Sequence, residues 1–135
     1  MPQSDYLDEL ILKAVFNGGS LPAIPVVYVA LFTSSPGKAG GGTEVSGSGY
    51  ARVGLTASGA LWGVNGPPWT ARNVPKIDFG AAAGGPWGLV SSVGLFDAPS
   101  GGNLLYFRTV QTAKAVADGD PVVINIDNLQ VMGTS

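Results

Sequence analysis

The sequence predicts an all-β fold, a β-sandwich of jelly-roll type with one short N-terminal α-helix. Three observations predict it. Short runs rich in β-branched and aromatic residues recur along the chain, as they do in strands. Between them lie turns rich in Gly and Pro, which number 21 and 10 among the 135 residues. Many short strands punctuated in this way build sandwiches or barrels. Only one segment, near the N-terminus, spaces its apolar residues as a helix does. The length suits a single domain, residues 1–135, large enough to bury a core without disulfides or metals.

The helix is expected over residues 4–17. Ser4 or Asp5 caps it, and Asp5, Asp8 and Glu9 sit where the helix dipole favours negative charge. Leu7, Leu10, Ile11, Ala14 and Val15 form one apolar stripe, Lys13 comes late, and Asn17-Gly18-Gly19 supplies the stop. A helix this short is marginal alone in water. It must therefore pack on its own sheet or on a neighbour.

Strands follow at Val26–Thr33, Tyr50–Thr56, Val74–Phe79, Leu89–Asp97, Asn103–Val110 and Val122–Asp127. The run 89–110 reads as a hairpin whose longer turn is Asp97-Ala-Pro-Ser-Gly-Gly-Asn103. Asp118-Gly-Asp-Pro121 reads as a tight turn before the last strand. Residues 34–49 have no apolar periodicity and are expected to be an exposed Gly-rich loop. A second irregular region, 57–73, holds Trp62, Trp69 and Pro67-Pro68.

Composition excludes several functions. Charged residues are 12 % of the chain, against about 25 % in ordinary soluble domains. Net charge is −2, so no basic field exists for phosphates and no nucleic-acid partner is expected. His and Cys are both absent, which removes the commonest general base, thiolate chemistry and the commonest soft-metal ligands. No long uncharged apolar stretch occurs, so no membrane span is expected. The acidic start carries no signal-peptide pattern.

The remaining chemical candidates read as turn composition. Gly37-Lys38 is followed by Ala39, so the phosphate-loop pattern fails. Ser46 and Ser48 lack the G-x-S-x-G context and any His partner. Asp97, Asp118 and Asp120 sit in ordinary turn sequences and lack calcium-loop spacing. No catalytic residue, no cofactor and no metal site are expected. Trp62, Trp69 and Trp87 are expected to pack in the core or at a subunit interface, where aromatic side chains act as anchors. Glu44 and Arg52 bracket a Gly/Ser turn and are placed to pair across its base. An exposed pair of this kind contributes about 0–1 kcal/mol. Tyr50 re-enters the core beside them. These six residues, Glu44, Tyr50, Arg52, Trp62, Trp69 and Trp87, are the candidate interface.

Four segments carry a resemblance: Ser4-Asp-Tyr-Leu-Asp-Glu9, Tyr28 to Pro36, Gly40-Gly-Gly-Thr-Glu-Val-Ser-Gly-Ser-Gly-Tyr-Ala-Arg52, and Trp87 to Tyr106. Together they resemble small structural proteins of tailed phages, of the kind often labelled tail fibre protein, some of which are capsid cement or decoration proteins. The third segment is the specific element, and the Trp- and Pro-rich stretch 61–72 departs from the pattern. The resemblance implies a non-enzymatic virion protein and no catalytic residue. The leading expectation is a protein on the capsid exterior that binds the major capsid protein and itself, as a homodimer or homotrimer, and cements neighbouring subunits. The alternative is a tail-fibre or baseplate component with receptor or glycan contact.

Overall fold

A computed structural model of the chain describes residues 2–126 and 128–132, the side chain of Met132 excepted. Asp127, the expected end of the strand 122–127, lies outside the described residues. The elements in order are α1 (Asp5–Phe16), β1 (Val26–Ser34), β2 (Thr43–Glu44), β3 (Val53–Thr56), β4 (Trp62–Asn65) and β5 (Thr70–Asn73), followed by β6 (Ile77–Ala81), β7 (Gly88–Phe96), β8 (Leu104–Val116), β9 (Pro121–Ile124) and β10 (Gln130–Met132). The fold is all-β, a sandwich with one short N-terminal helix.

The largest sheet is antiparallel, in the order β2-β1-β7-β8, with β3 also paired to β1. Central β1 and β7 are the two most strand-like runs in the sequence, and they pair from Tyr28↔Phe96 to Phe32↔Ser92. Alternation then assigns the faces. Val29, Leu31, Val93 and Leu95 enter the main core, while Ala30, Phe32 and Phe96 form a second cluster on the opposite face. The main core is closed by the three-stranded sheet β10-β5-β4 and the pair β6-β9, which contribute Trp62, Ile77, Phe79, Val122 and Val131. A jelly roll distributes its strands between two sheets as a double Greek key; the pairings here make sheets of five, three and two strands, and that finer topology is not confirmed.

Several local expectations need correcting. The stretch 57–73 is not irregular: β4 and β5 form a hairpin, Trp62↔Asn73 to Asn65↔Thr70, turning at Gly66-Pro67-Pro68-Trp69. The two strands lack β-branched alternation, and a tertiary contact holds them. Asn73 is fully buried, donates through Nδ2 to the carbonyls of Pro75 and Asn125 at 2.9 Å each, and accepts from the Leu129 amide at 3.0 Å. That staple brings β10, also unforeseen, alongside β5. Strand β8 runs six residues past its expected end at Val110, to Val116. The loop 34–49 is pinned, with Pro36 and Val45 buried and β2 paired to β1.

Helix α1 begins where its cap predicts. Ser4 Oγ accepts from the Leu7 amide at 3.1 Å and donates to the Leu104 carbonyl. The Ser4 amide donates to the Leu105 carbonyl and the Phe107 amide to the Pro2 carbonyl, so residues 2–4 run along the start of β8. Only Leu7 of the helix is buried. Leu10, Ile11 and Ala14 are half-buried, and Val15, expected on the covered stripe, is exposed. The helix is therefore held chiefly at its first turn, and the described residues leave Leu12, Val15 and Phe16 of its distal half exposed.

Candidate functional site

The segment 43–52 contains the most specific sequence element, and its geometry is a clamp. Arg52 is bidentate to Glu44, with Nη2 at 2.8 Å from Oε1 and Nε at 2.9 Å from Oε2. Its Nη1 donates to the carbonyls of Ala98 and Gly101, both at 2.9 Å, in the β7–β8 turn. The guanidinium lies 3.8 Å from the centroid of the Phe96 ring, within cation–π range. The sequence placed this pair on the surface. Instead the Arg52 side chain is 6 % exposed and that of Glu44 26 %. The pairing stands, and the exposure is corrected: the second apolar cluster, with Phe96 in it, covers the guanidinium.

Tyr50 solves a different problem. One side of β1 is served by β3 up to Val29 and by β2 from Phe32, leaving a gap at Leu31. Buried backbone groups need partners. The Leu31 amide donates to Tyr50 Oη at 3.0 Å, the Val45 amide donates to the Leu31 carbonyl, and Tyr50 Oη donates to Glu44 at 2.7 Å. The Tyr50 ring meets Trp87 edge-on, centroids 5.5 Å apart, and the Trp87 indole N–H donates to the Ser48 carbonyl at 2.9 Å.

These contacts set opposed titrations. Burial pushes the Glu44 carboxyl up, but hydrogen bonds from Arg52 and Tyr50 together with the Arg52 charge outweigh it, and the net direction is below the ordinary 4.5. Burial, then the bond to Glu44, raises the Tyr50 phenol well above its ordinary 10.0. A lowered carboxyl adds stability that is present above the ordinary value and lost as pH falls through the folded one. A raised phenol adds stability that is present below the ordinary value and lost as pH rises past it. Stability should therefore decline on both the acid and alkaline sides. Urea melts across pH should show a shallower acid limb for Glu44→Gln and a shallower alkaline limb for Tyr50→Phe. Limbs unchanged in both variants would dissociate these groups from the pH dependence.

Of the six candidate interface residues, Trp62 and Trp87 are buried in the core, and Glu44, Tyr50 and Arg52 form the internal clamp. Trp69, at the β4–β5 turn, is the one largely open to solvent, at 65 % exposure. The acids considered for chemistry hold turns. Asp97 accepts from the Asn103 amide at 2.7 Å, Asp118 from the Gly85 amide at 3.3 Å and Asp120 from the Ala117 amide at 3.0 Å. No group of acids able to hold a metal occurs among the described residues, and no described helix is long and apolar enough to cross a membrane.

What sequence reading missed is a cleft of about 890 Å³ between α1, the β4–β5 hairpin and the main sheet, with Leu7, Val27, Trp62, Trp69, Tyr106 and Val131 on its walls. None of its lining residues is charged. Ligand sites are typically apolar clefts of about 300–1,000 Å³, a range that includes this one. Its signal in the sequence was faint: Val64 and Trp69 flank a turn in a segment read as irregular.

The polar clusters of this sandwich hold loops, and its cleft is uncharged and apolar, features that suit a structural, contact-making protein. The chain is a member of the family described as podophage GP4 fiber I protein gp80, whose family model matches residues 2–132. Membership makes it a structural protein of the bacteriophage virion. No curated protein matches the chain.

Proposed function

We propose that the protein is a non-catalytic subunit of the virion's fibre apparatus, acting by holding protein neighbours through apolar, shape-fitted contacts. The match over nearly the whole chain to a family described as a fibre protein carries this reading. The uncharged cleft and the exposed Trp69 support it, because they suit a protein partner better than an ionic one. Many weak contacts repeated on one particle add up to lasting attachment.

Capsid cementing is the second reading. It uses the same contact physics on a different partner, the major capsid protein, and the low charge of the chain favours it as much as it favours the fibre. Quantitative mass spectrometry of separated heads and tails discriminates the two. The fibre reading expects the protein in low copy on tails, with head stability unchanged by its loss. High copy on heads, with heads that rupture more readily when it is missing, would replace that reading with cementing. Attachment in either place should survive moderate NaCl, since salt screens exposed charges within about 10 Å at 0.1 M and leaves apolar contacts in place. Turnover in a hydrolase screen that is abolished by Asp97→Ala or Asp118→Ala would overturn the non-catalytic part.

A further inference from the structure

We infer that the distal half of α1 is a plug that seats in the apolar cleft of a second copy of this chain, in a reciprocal two-fold dimer. The inference goes beyond the virion assignment and does not depend on where in the particle the protein sits.

The helix carries two apolar stripes. Leu7, Leu10, Ile11 and Ala14 face the body of the chain to varying depth. Leu12, Val15 and Phe16, at i, i+3 and i+4, share another face, and they are 57 %, 67 % and 77 % exposed. Together they form a contiguous exposed apolar patch, the kind of surface that marks an interaction site. The cleft is their complement: apolar, open, walled by aromatic rings and free of charged lining residues.

Geometry selects a second copy. The helix is tied to its own body at Ser4 and Leu7, and Leu7 is itself part of the cleft wall. At about 1.5 Å per residue, Phe16 lies roughly 13 Å farther along the axis than Leu7. A rigid helix cannot fold that end back into its own cleft, whereas the end of another copy's helix is free to enter. Charge allows it: the one charged side chain among residues 12–16 is Lys13, already ion-paired with Glu9 at 2.6 Å on the same helix. Neither surface then strands an unpaired charge on docking.

Area argues for reciprocity. A fully buried aromatic side chain covers about 150–250 Å². On that scale Phe16, Leu12 and Val15 against Trp69, Val64 and the cleft wall remove roughly 600–800 Å² from water, which is within the range of casual contacts. Two copies exchanging helices double this to roughly 1,200–1,600 Å², the size of a specific interface. Two-fold exchange also closes the assembly, so no open filament forms.

The chain has no cysteine, which makes a direct test simple. Phe16→Cys and Val64→Cys each introduce a single thiol at an exposed position. A bismaleimide added to a mixture of the two should give the cross-linked pair, while Phe16→Cys mixed with Ser100→Cys should not. Sedimentation should show a dimer for the wild-type chain and monomers for Phe16→Asp and Val64→Asp, both with unchanged circular dichroism. A wild-type chain that stays monomeric at its highest soluble concentration overturns the inference. So does a Phe16→Asp variant that dimerises like wild type. A monomeric wild type whose incorporation into particles still needs Phe16 assigns the plug to another virion protein, which also overturns it. None of these results touches the fibre-versus-head assignment, which is read from copy number.

Discussion

Arg52→Ala is expected to lower the stability of the fold by about 3–5 kcal/mol, the cost of removing one partner from a buried ion pair. For a domain of this size that is a fall in Tm on the order of 10–20 °C. The loss has three parts. Glu44 keeps its charge in a half-buried place with, among the described residues, the Tyr50 hydroxyl left as its side-chain donor. The carbonyls of Ala98 and Gly101 lose the donor they share. The Phe96 ring loses the flat cation over its face. Arg52→Lys should recover little, because a compact ammonium cannot reach a carboxylate in bidentate fashion and two carbonyls together. In a double-mutant cycle with Glu44→Ala, the coupling should lie between about 0.5 and 3 kcal/mol. A loss below about 1 kcal/mol for Arg52→Ala would mean that the clamp is an exposed pair after all.

That clamp illustrates how the sequence and the fold divide the information. Spacing alone predicted that Glu44 and Arg52 meet, because a short Gly/Ser turn lies between them. Spacing had no means of predicting that the β7–β8 turn, nearly 50 residues on, would close over the guanidinium. The helix was legible to its caps, since Ser4, Lys13 and Asn17 act locally and all three do what the sequence expects. Strands β1 and β7 were legible because both of their faces are apolar, as central strands require. The hairpin β4–β5 was not legible. Trp62-Gly-Val-Asn65 and Thr70-Ala-Arg-Asn73 have no strand signature, and their position depends on the Asn73 side chain finding backbone partners at 75, 125 and 129. The cleft is built on that hairpin and was invisible for the same reason. Val15 was misplaced because the apolar stripe is wider than the surface it docks on, so periodicity alone could not say where cover ends.

The Gly-rich loop, read from the sequence as adaptable, has a stricter role that one substitution series exposes. Trp87→Ala is expected to cost about 3–5 kcal/mol, as for other buried large aromatic residues. Trp87 is 5 % exposed, packs edge-on against Tyr50 and donates to the Ser48 carbonyl, so its removal opens a cavity under the loop. Gly47 lies against the indole so closely that a Cβ there would sit 2.3 Å from Cδ1 of Trp87. Gly42 is fixed for a separate reason: its φ is +76°, and a Cβ would meet the carbonyl oxygens of Ser34 and Ser35 at 2.5 Å. Glycine in Val45-Ser-Gly-Ser-Gly49 is therefore a packing requirement of Trp87 at position 47. Gly47→Val should cost about 1–3 kcal/mol through overpacking. Combined with Trp87→Ala it should cost less than the sum of the two, because the cavity receives the new side chain. Chemical denaturation of the two single variants and the double variant measures this coupling. Additivity within about 0.5 kcal/mol would show that Gly47 and Trp87 do not share the contact, and that the loop is as free as its composition suggests.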